Sequence, residues 1–183
     1  MAILVRDATG VQQTQQLSSI DASYGFTFTA TSPGTTAATD VLVLQGASGI
    51  VTRLKRLKIS YVSSATAGFV GVTLVRQSAA TTTTVGSIVA VALDSGAPAA
   101  GTGVLKPNAN GTAVNSNVQF TDYLDVAAAT TGISSLDIKV SDWLGEPFIL
   151  RGTSDFLAVN LTEIAAQSGV LMHVAGIFDE GTN

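Results

Sequence analysis

The chain of 183 residues is 46% hydrophobic but only 12% charged, where an average soluble domain carries about 25%. Its length suits one sizeable core rather than two domains. A net charge of −4 argues against nucleic acid as the main partner, because phosphate binding draws on a basic field. With no cysteine, disulfide staples, thiolate metal sites and cysteine nucleophiles are excluded.

So few charges leave an outer surface of Ser, Thr, Ala, Gly, Asn and Gln, which repels its neighbours weakly. The expectation is a protein that works inside an assembly. A secreted β-domain with a Thr-rich skin is the other reading of the same composition. The longest apolar runs fall far short of the roughly 18 residues a membrane helix needs. The opening MAILVRDATG has no basic region before its apolar residues, so it does not read as a secretion signal, and synthesis in the cytoplasm is expected.

Residues 1–22 begin with the apolar Ile3, Leu4 and Val5 and turn polar at Gln12, Gln13, Gln15 and Gln16. They read as an extended N-terminal arm, or as a tail that orders only when docked. From Tyr24 the period becomes two: Tyr24, Phe26 and Phe28 alternate with small or polar residues, as in a half-buried strand. "TSPGTT" (31–36) is a turn, Asp40–Gln45 a second strand, and "GASG" (46–49) its end.

"VTRLKRLKISYV" (51–62) holds four of the nine basic residues: Arg53, Lys55, Arg56 and Lys58. Ile50, Leu54, Leu57 and Tyr61 fit one helical face, but Ile59, Val51 and Val62 then fall on or near the polar side. As a strand, Ile50 and Leu54 share one parity and Leu57, Ile59 and Tyr61 the other. A one-residue bulge near Lys55–Arg56 brings all five to one face, and this is the reading adopted. Phe69–Gln77 alternates again and is expected to form a hairpin with the basic strand. "SAATTTTVGS" (78–87) is a Thr-rich loop and Ile88–Leu93 an apolar strand. Residues 94–118 form a long Pro-, Gly- and Asn-rich loop with room for a short strand at 103–106. Ser134–Trp143, Pro147–Glu163 (strand, turn, strand) and Ser168–Glu180 complete the pattern. A strand every 8–12 residues or so points to an all-β fold, a single β-sandwich or jelly roll spanning 23–183 behind the arm.

Catalytic patterns are absent. His173, the single histidine, lies within a strand, and no nucleophile elbow, zinc ligand set or phosphate-binding glycine loop is present. The carboxylate pairs Asp122 and Asp125, Asp137 and Asp142, and Asp179 and Glu180 have spacings that loops produce by chance. No cofactor or metal is expected. Trp143, the lone tryptophan, is a candidate ligand platform, although such a residue usually lies in a core.

"VTRLKRLKISYVSSATAGFVGVTLVRQSAA" (51–80) and "FILRGTSDFLAVNL" (148–161) resemble β-rich virion structural proteins of tailed bacteriophages. In that group a basic-flanked strand, an Ala/Thr turn and a V-x-L-V-(K/R)-x-S strand precede a Thr/Gly-rich loop, and an L-R-G-T turn precedes an L-A-x-N-L strand. Where members carry "HDS" after the Thr loop, this chain has "LDSG" at Leu93–Gly96. The resemblance implies a non-enzymatic role on a phage particle, as a capsid decoration or cement protein or as a tail or baseplate accessory protein. It implies as partners copies of the same chain, with a trimer favoured, and the major capsid or tail protein. A carbohydrate- or receptor-binding β-module is the alternative from another class. The residues expected at a partner interface are the arm's Ile3, Leu4, Val5, Gln12, Gln13, Gln15 and Gln16 and the basic cluster Arg53, Lys55, Arg56 and Lys58.

Overall fold

The computed structural model describes residues 2–6, 12–16, 22–31, 39–62, 68–77, 84–107, 117–126, 133–140, 148–162 and 171–182. They are organised as fourteen strands: β1 (Ala2–Arg6), β2 (Gln12–Gln16), β3 (Ala22–Thr31), β4 (Thr39–Gln45), β5 (Ile50–Val62), β6 (Gly68–Gln77), β7 (Thr84–Ile88), β8 (Val91–Ala92), β9 (Gly103–Pro107), β10 (Asn117–Val126), β11 (Ile133–Lys139), β12 (Phe148–Arg151), β13 (Phe156–Thr162) and β14 (Leu171–Thr182). Two antiparallel sheets pack face to face as a β-sandwich. The first runs β10-β6-β13-β4-β9-β7. The second runs β11-β5-β14-β3-β8, with β12 also paired to β5. The expected all-β sandwich is the fold observed.

The two strands at the centre of the second sheet explain its shape. β14 pairs with β5 along twelve residues and with β3 along ten. Its register on β5 slips once: Ile177 faces Arg56 and Phe178 faces Leu54, so Lys55 is the extra residue of a bulge. The bulge turns Leu54, Leu57, Ile59 and Tyr61 to the interior, each no more than 2% exposed, while Lys55, Arg56 and Lys58 face out. Ile50, the fifth residue of the expected set, is partly buried. The same point divides the neighbours: β11 pairs with Arg56–Val62 and β12 with Val51–Leu54. Against these residues pack Leu42 and Leu44 of β4, Val70, Val72 and Leu74 of β6, and Leu157, Val159 and Leu161 of β13 in one continuous core. Tyr24 stacks on Phe178 with centroids 5.5 Å apart.

Three expectations change. The N-terminal segment is not one extended arm: β1 and β2 pair antiparallel with each other, Ala2 facing Gln16 and Arg6 facing Gln12. β5 and β6 do not form a hairpin, because each is already flanked on both sides within its own sheet; the chain crosses between sheets from one to the other. Gly49, at φ 72°, takes the left-handed corner that leads from β4 in one sheet into β5 in the other. Ile88–Leu93 is not one strand. β7 ends at Ile88 in the first sheet and β8 begins at Val91 in the second, with Val89 at the crossing and 81% exposed. The short strand expected within the 94–118 stretch is observed as β9, hydrogen-bonded between β4 and β7.

The bend before β9 is fixed from the second sheet. Glu180 points inward at the end of β14, 8% exposed, and accepts the backbone N–H groups of Gly101 (3.0 Å) and Thr102 (2.6 Å). Thr102 and Thr52 share a buried hydroxyl contact at 2.6 Å, and the Tyr24 hydroxyl donates to the Pro98 carbonyl at 3.1 Å. Buried acceptors and donors are thus matched where the loop enters the sandwich.

Candidate functional site

The outward face of the second sheet carries the basic cluster, and ladder register arranges its side chains in rows. Arg56, Ile177, Gly25 and Val91 face one another across four strands, and Lys58, Ala175 and Thr27 form the next row. Gly25, Ala175 and Thr27 are the small members of these rows, and Ile177 lies between Arg56 and Gly25. The result is a trough of about 570 Å³, floored by Gly25, Thr27, Ala175 and Ile177, with Arg56 and Lys58 on one side and Val89, Val91 and Leu93 on the other. These last three are 81%, 65% and 62% exposed, a contiguous apolar strip that a lone soluble domain does not need. Leu93 also borders a second hollow of about 510 Å³ with Ala22, Asp94 and Pro98.

The basic residues are largely neutralised within the chain. Arg56 forms a forked pair with Asp137 of β11, its Nε at 2.8 Å from Oδ1 and a terminal amino group on Oδ2. This hydrogen bonding by Arg56 holds the Asp137 carboxyl below its ordinary range, with further help from the charges of Lys139 and Lys58. Lys55, set out by the bulge, meets Asp179, whose carboxylate also accepts the Ser23 hydroxyl at 2.6 Å. Arg53 lies opposite Ile149 on β12 and Asp179 on β14. Among the described residues Lys58 forms no salt bridge, which makes it the cation of the four best placed to meet an outside carboxylate.

The other expected positions are divided. Ile3, Leu4 and Val5 lie on β1, and Gln12, Gln13, Gln15 and Gln16 on β2, in a sheet of their own; the structure does not bring them to the basic strand's ladder. Trp143 and Asp142 lie outside the described residues. Asp179 and Glu180, neighbours on one strand, point to opposite faces: Asp179 meets Lys55 outside and Glu180 meets the Gly101–Thr102 backbone inside. They cannot flank one bond of a substrate. His173 faces out, its Nδ1 2.8 Å from the Thr29 hydroxyl. Among the described residues no three His, Cys, Asp or Glu side chains converge to hold a metal.

Two features escaped the sequence. The apolar strip does so because Ile88–Leu93 is apolar at every second position of either parity, so alternation cannot reveal that it leaves one sheet for the other. The second lies on the outward side of the first sheet, where Tyr123 (52% exposed) faces Gly71 and Phe69 (65%) faces Asp125 on the β10–β6 ladder. Two exposed rings there flank a glycine. The alternation of Phe69 with Val70, Val72 and Leu74 contains that signal, since a residue out of phase with the core must face away from it.

Comparison with protein-family models, with curated proteins and with solved structures finds no match for this chain.

Proposed function

We propose that the chain is a non-enzymatic structural protein of a tailed-phage virion, a decoration or cement protein that binds the head through a protein interface as a homo-oligomer. The observation that carries this reading is the outward face of the second sheet. An exposed apolar strip, a trough and Lys58, which forms no salt bridge among the described residues, lie side by side there, on a chain with only 12% charged residues. Such a patch suits a protein surface with apolar and acidic groups. The phage resemblance of residues 51–80 and 148–161 supplies the particle, and a tail or baseplate location fits the same surface.

The test is occupancy on phage particles stripped of the protein. Arg56→Gln/Lys58→Gln should bind less and show a flatter salt dependence, while the isolated fold survives. Lys55 is left in place because it neutralises the buried Asp179. Equal occupancy of variant and parent at low and high salt overturns the role of this face.

The exposed Phe69 and Tyr123 favour a second reading, a carbohydrate-binding module, because sugar rings stack on aromatic faces. In that case immobilised glycans retain the protein, and Tyr123→Ala abolishes retention without affecting particle binding.

A further inference from the structure

Among the described residues β3 is an edge strand for most of its length. On one side β14 pairs with it from Ala22 to Thr31, but on the other β8 reaches only Tyr24 and Gly25. The hydrogen-bonding phase follows from one contact: the Ser23 carbonyl accepts the Leu93 N–H at 2.8 Å. In an antiparallel strand alternate residues direct both backbone groups to the same side. Ser23 and Gly25 therefore face β8, and Thr27, Thr29 and Thr31 face the same way beyond its end. Among the described residues no strand takes up those three N–H and three C=O groups.

The edge also lacks the usual protections. Phe26–Thr31 contains no charge and no proline, the devices that keep an open edge from recruiting another strand. Phe28, which packs on the core from this margin, is only partly buried, and Val89 stands exposed beyond the end of β8.

The chain contains a strand pair with the opposite deficiency. β1 and β2 pair with each other and with no other described strand, and an isolated two-stranded hairpin is marginal in water. β1 is five residues long, "AILVR", of which only Arg6 is charged, so it matches the open run of β3 in length and in lack of charge. Resting on the reading of this chain as a subunit of an assembly, we propose that the open edge of β3 takes β1 of a neighbouring copy. The hairpin thereby adds two strands beyond β3, β1 in line with β8, and its Gln-rich β2 becomes the new, polar edge. Donor and acceptor are different surfaces, so each copy can pass its hairpin to the next, and the assembly is proposed to close as a ring. Three subunits are the expected ring.

Complementation of two full-length variants tests this. Thr27→Pro blocks the acceptor: the Thr27 N–H points away from β14, so proline removes no bond of that ladder. Ile3→Pro/Val5→Pro blocks the donor and leaves β3 untouched. The parent should sediment near three times 18.6 kDa, and each variant alone as a monomer. An equimolar mixture should give a one-to-one dimer and nothing larger, because one acceptor and one donor remain. Hydrogen exchange reads the same contact by residue: the Thr27 and Thr29 amides should be protected in the parent and unprotected in Ile3→Pro/Val5→Pro. If Thr27→Pro does not fold, Thr27→Lys/Thr29→Lys replaces it as the acceptor-blocked chain.

A monomeric parent, a donor-blocked variant that still oligomerises, or a mixture that stays monomeric overturns the proposal. So does protection of Thr27 and Thr29 in a dilute monomer, which would mean that the hairpin docks on its own chain. Particle binding is scored separately. A ring built this way that binds no particle defeats the virion reading and leaves this contact standing. A monomer that binds particles does the reverse.

Discussion

Gly176 and Tyr61 show how single residues set tolerances in this core. Gly176 sits between Leu57 and Phe26 in register, and a Cβ there would lie 2.4 Å from Phe26 Cζ. That ring is 5% exposed and tilted against Phe178 at 6.2 Å, so it has no room to retreat. Gly176→Ala should destabilise the domain by about 1–3 kcal/mol, the usual cost of overpacking. Gly25→Ala, whose Cβ meets the exposed Leu93 Cδ2 at 3.3 Å and the Gly176 carbonyl oxygen at 4.0 Å, should cost far less. Urea midpoints of the two variants decide, and equal losses would refute this account of Gly176. Among the described residues the buried Tyr61 hydroxyl has no hydrogen-bond partner, and burial raises its pKa. An unpaired buried hydroxyl costs about 1–3 kcal/mol, so Tyr61→Phe should unfold at equal or higher denaturant concentration. A phenol whose folded pKa is raised stabilises fully below its unfolded value, about 10, and loses that stabilisation as pH rises towards the folded value. Tyr61→Phe should therefore weaken the alkaline loss of stability. A variant clearly less stable at neutral pH would show that the hydroxyl does have a partner.

At the scale of elements, the bulge in β5 makes an unusual prediction about deletions. Removing one residue from a strand normally sends every side chain beyond it to the wrong face. Lys55 is the exception, because it is the residue that the β14 ladder skips. Without it, Arg56 still faces Ile177 and Leu54 still faces Phe178, now in regular alternation. Deleting Lys55 should leave a folded domain, weakened by about 1–3 kcal/mol because the buried Asp179 loses its cation. Deleting Lys58 should abolish folding, since Ile59 and Tyr61, at 0% and 1% exposure, would turn to solvent. Far-UV and near-UV circular dichroism separate the outcomes, and a folded Lys58 deletion would contradict the register. The bulge was legible in the sequence because five large side chains had to share one face and a single slip achieved it. The β5–β6 hairpin was misread for a related reason. Alternation reports which residues face a core, but not which strand lies alongside. Val70, Val72 and Leu74 alternate identically whether β6 borders β5 or, as it does, β10 and β13. β10 went unread because Asp122, Tyr123 and Asp125 mask the alternation of Phe120 and Leu124. β9 was half legible: Val104 supplies the apolar signal inside a stretch whose glycines and prolines speak for loop.

For the whole molecule, the sandwich closes its interior and leaves its exposed apolar side chains at its margins. Thr- and Ala-rich segments and sparse charge raise the expectation of an associating surface from composition alone, but composition cannot locate one. The location depends on where β8 stops and where Val89 crosses between sheets, and both are tertiary facts. The strip of Val89, Val91 and Leu93 offers the clearest separation of folding from assembly. Because these side chains are 81%, 65% and 62% exposed, they contribute little to the isolated fold, and surface substitutions of this kind usually change stability by no more than about 0.5 kcal/mol each. Val89→Thr/Val91→Thr/Leu93→Thr keeps the β-branched shape at two positions and removes apolar surface at all three. Its thermal midpoint, measured at a concentration low enough to keep the chain dissociated, should match the parent's. At high concentration the parent should gain stability by mass action, as any associating protein does, and the triple variant should gain less and occupy fewer sites on particles. A variant that loses its midpoint even when dissociated would make the strip part of the core's cover. One that associates and binds particles like the parent would remove the strip from the interface and leave the edge of β3 as the remaining place for contact between subunits.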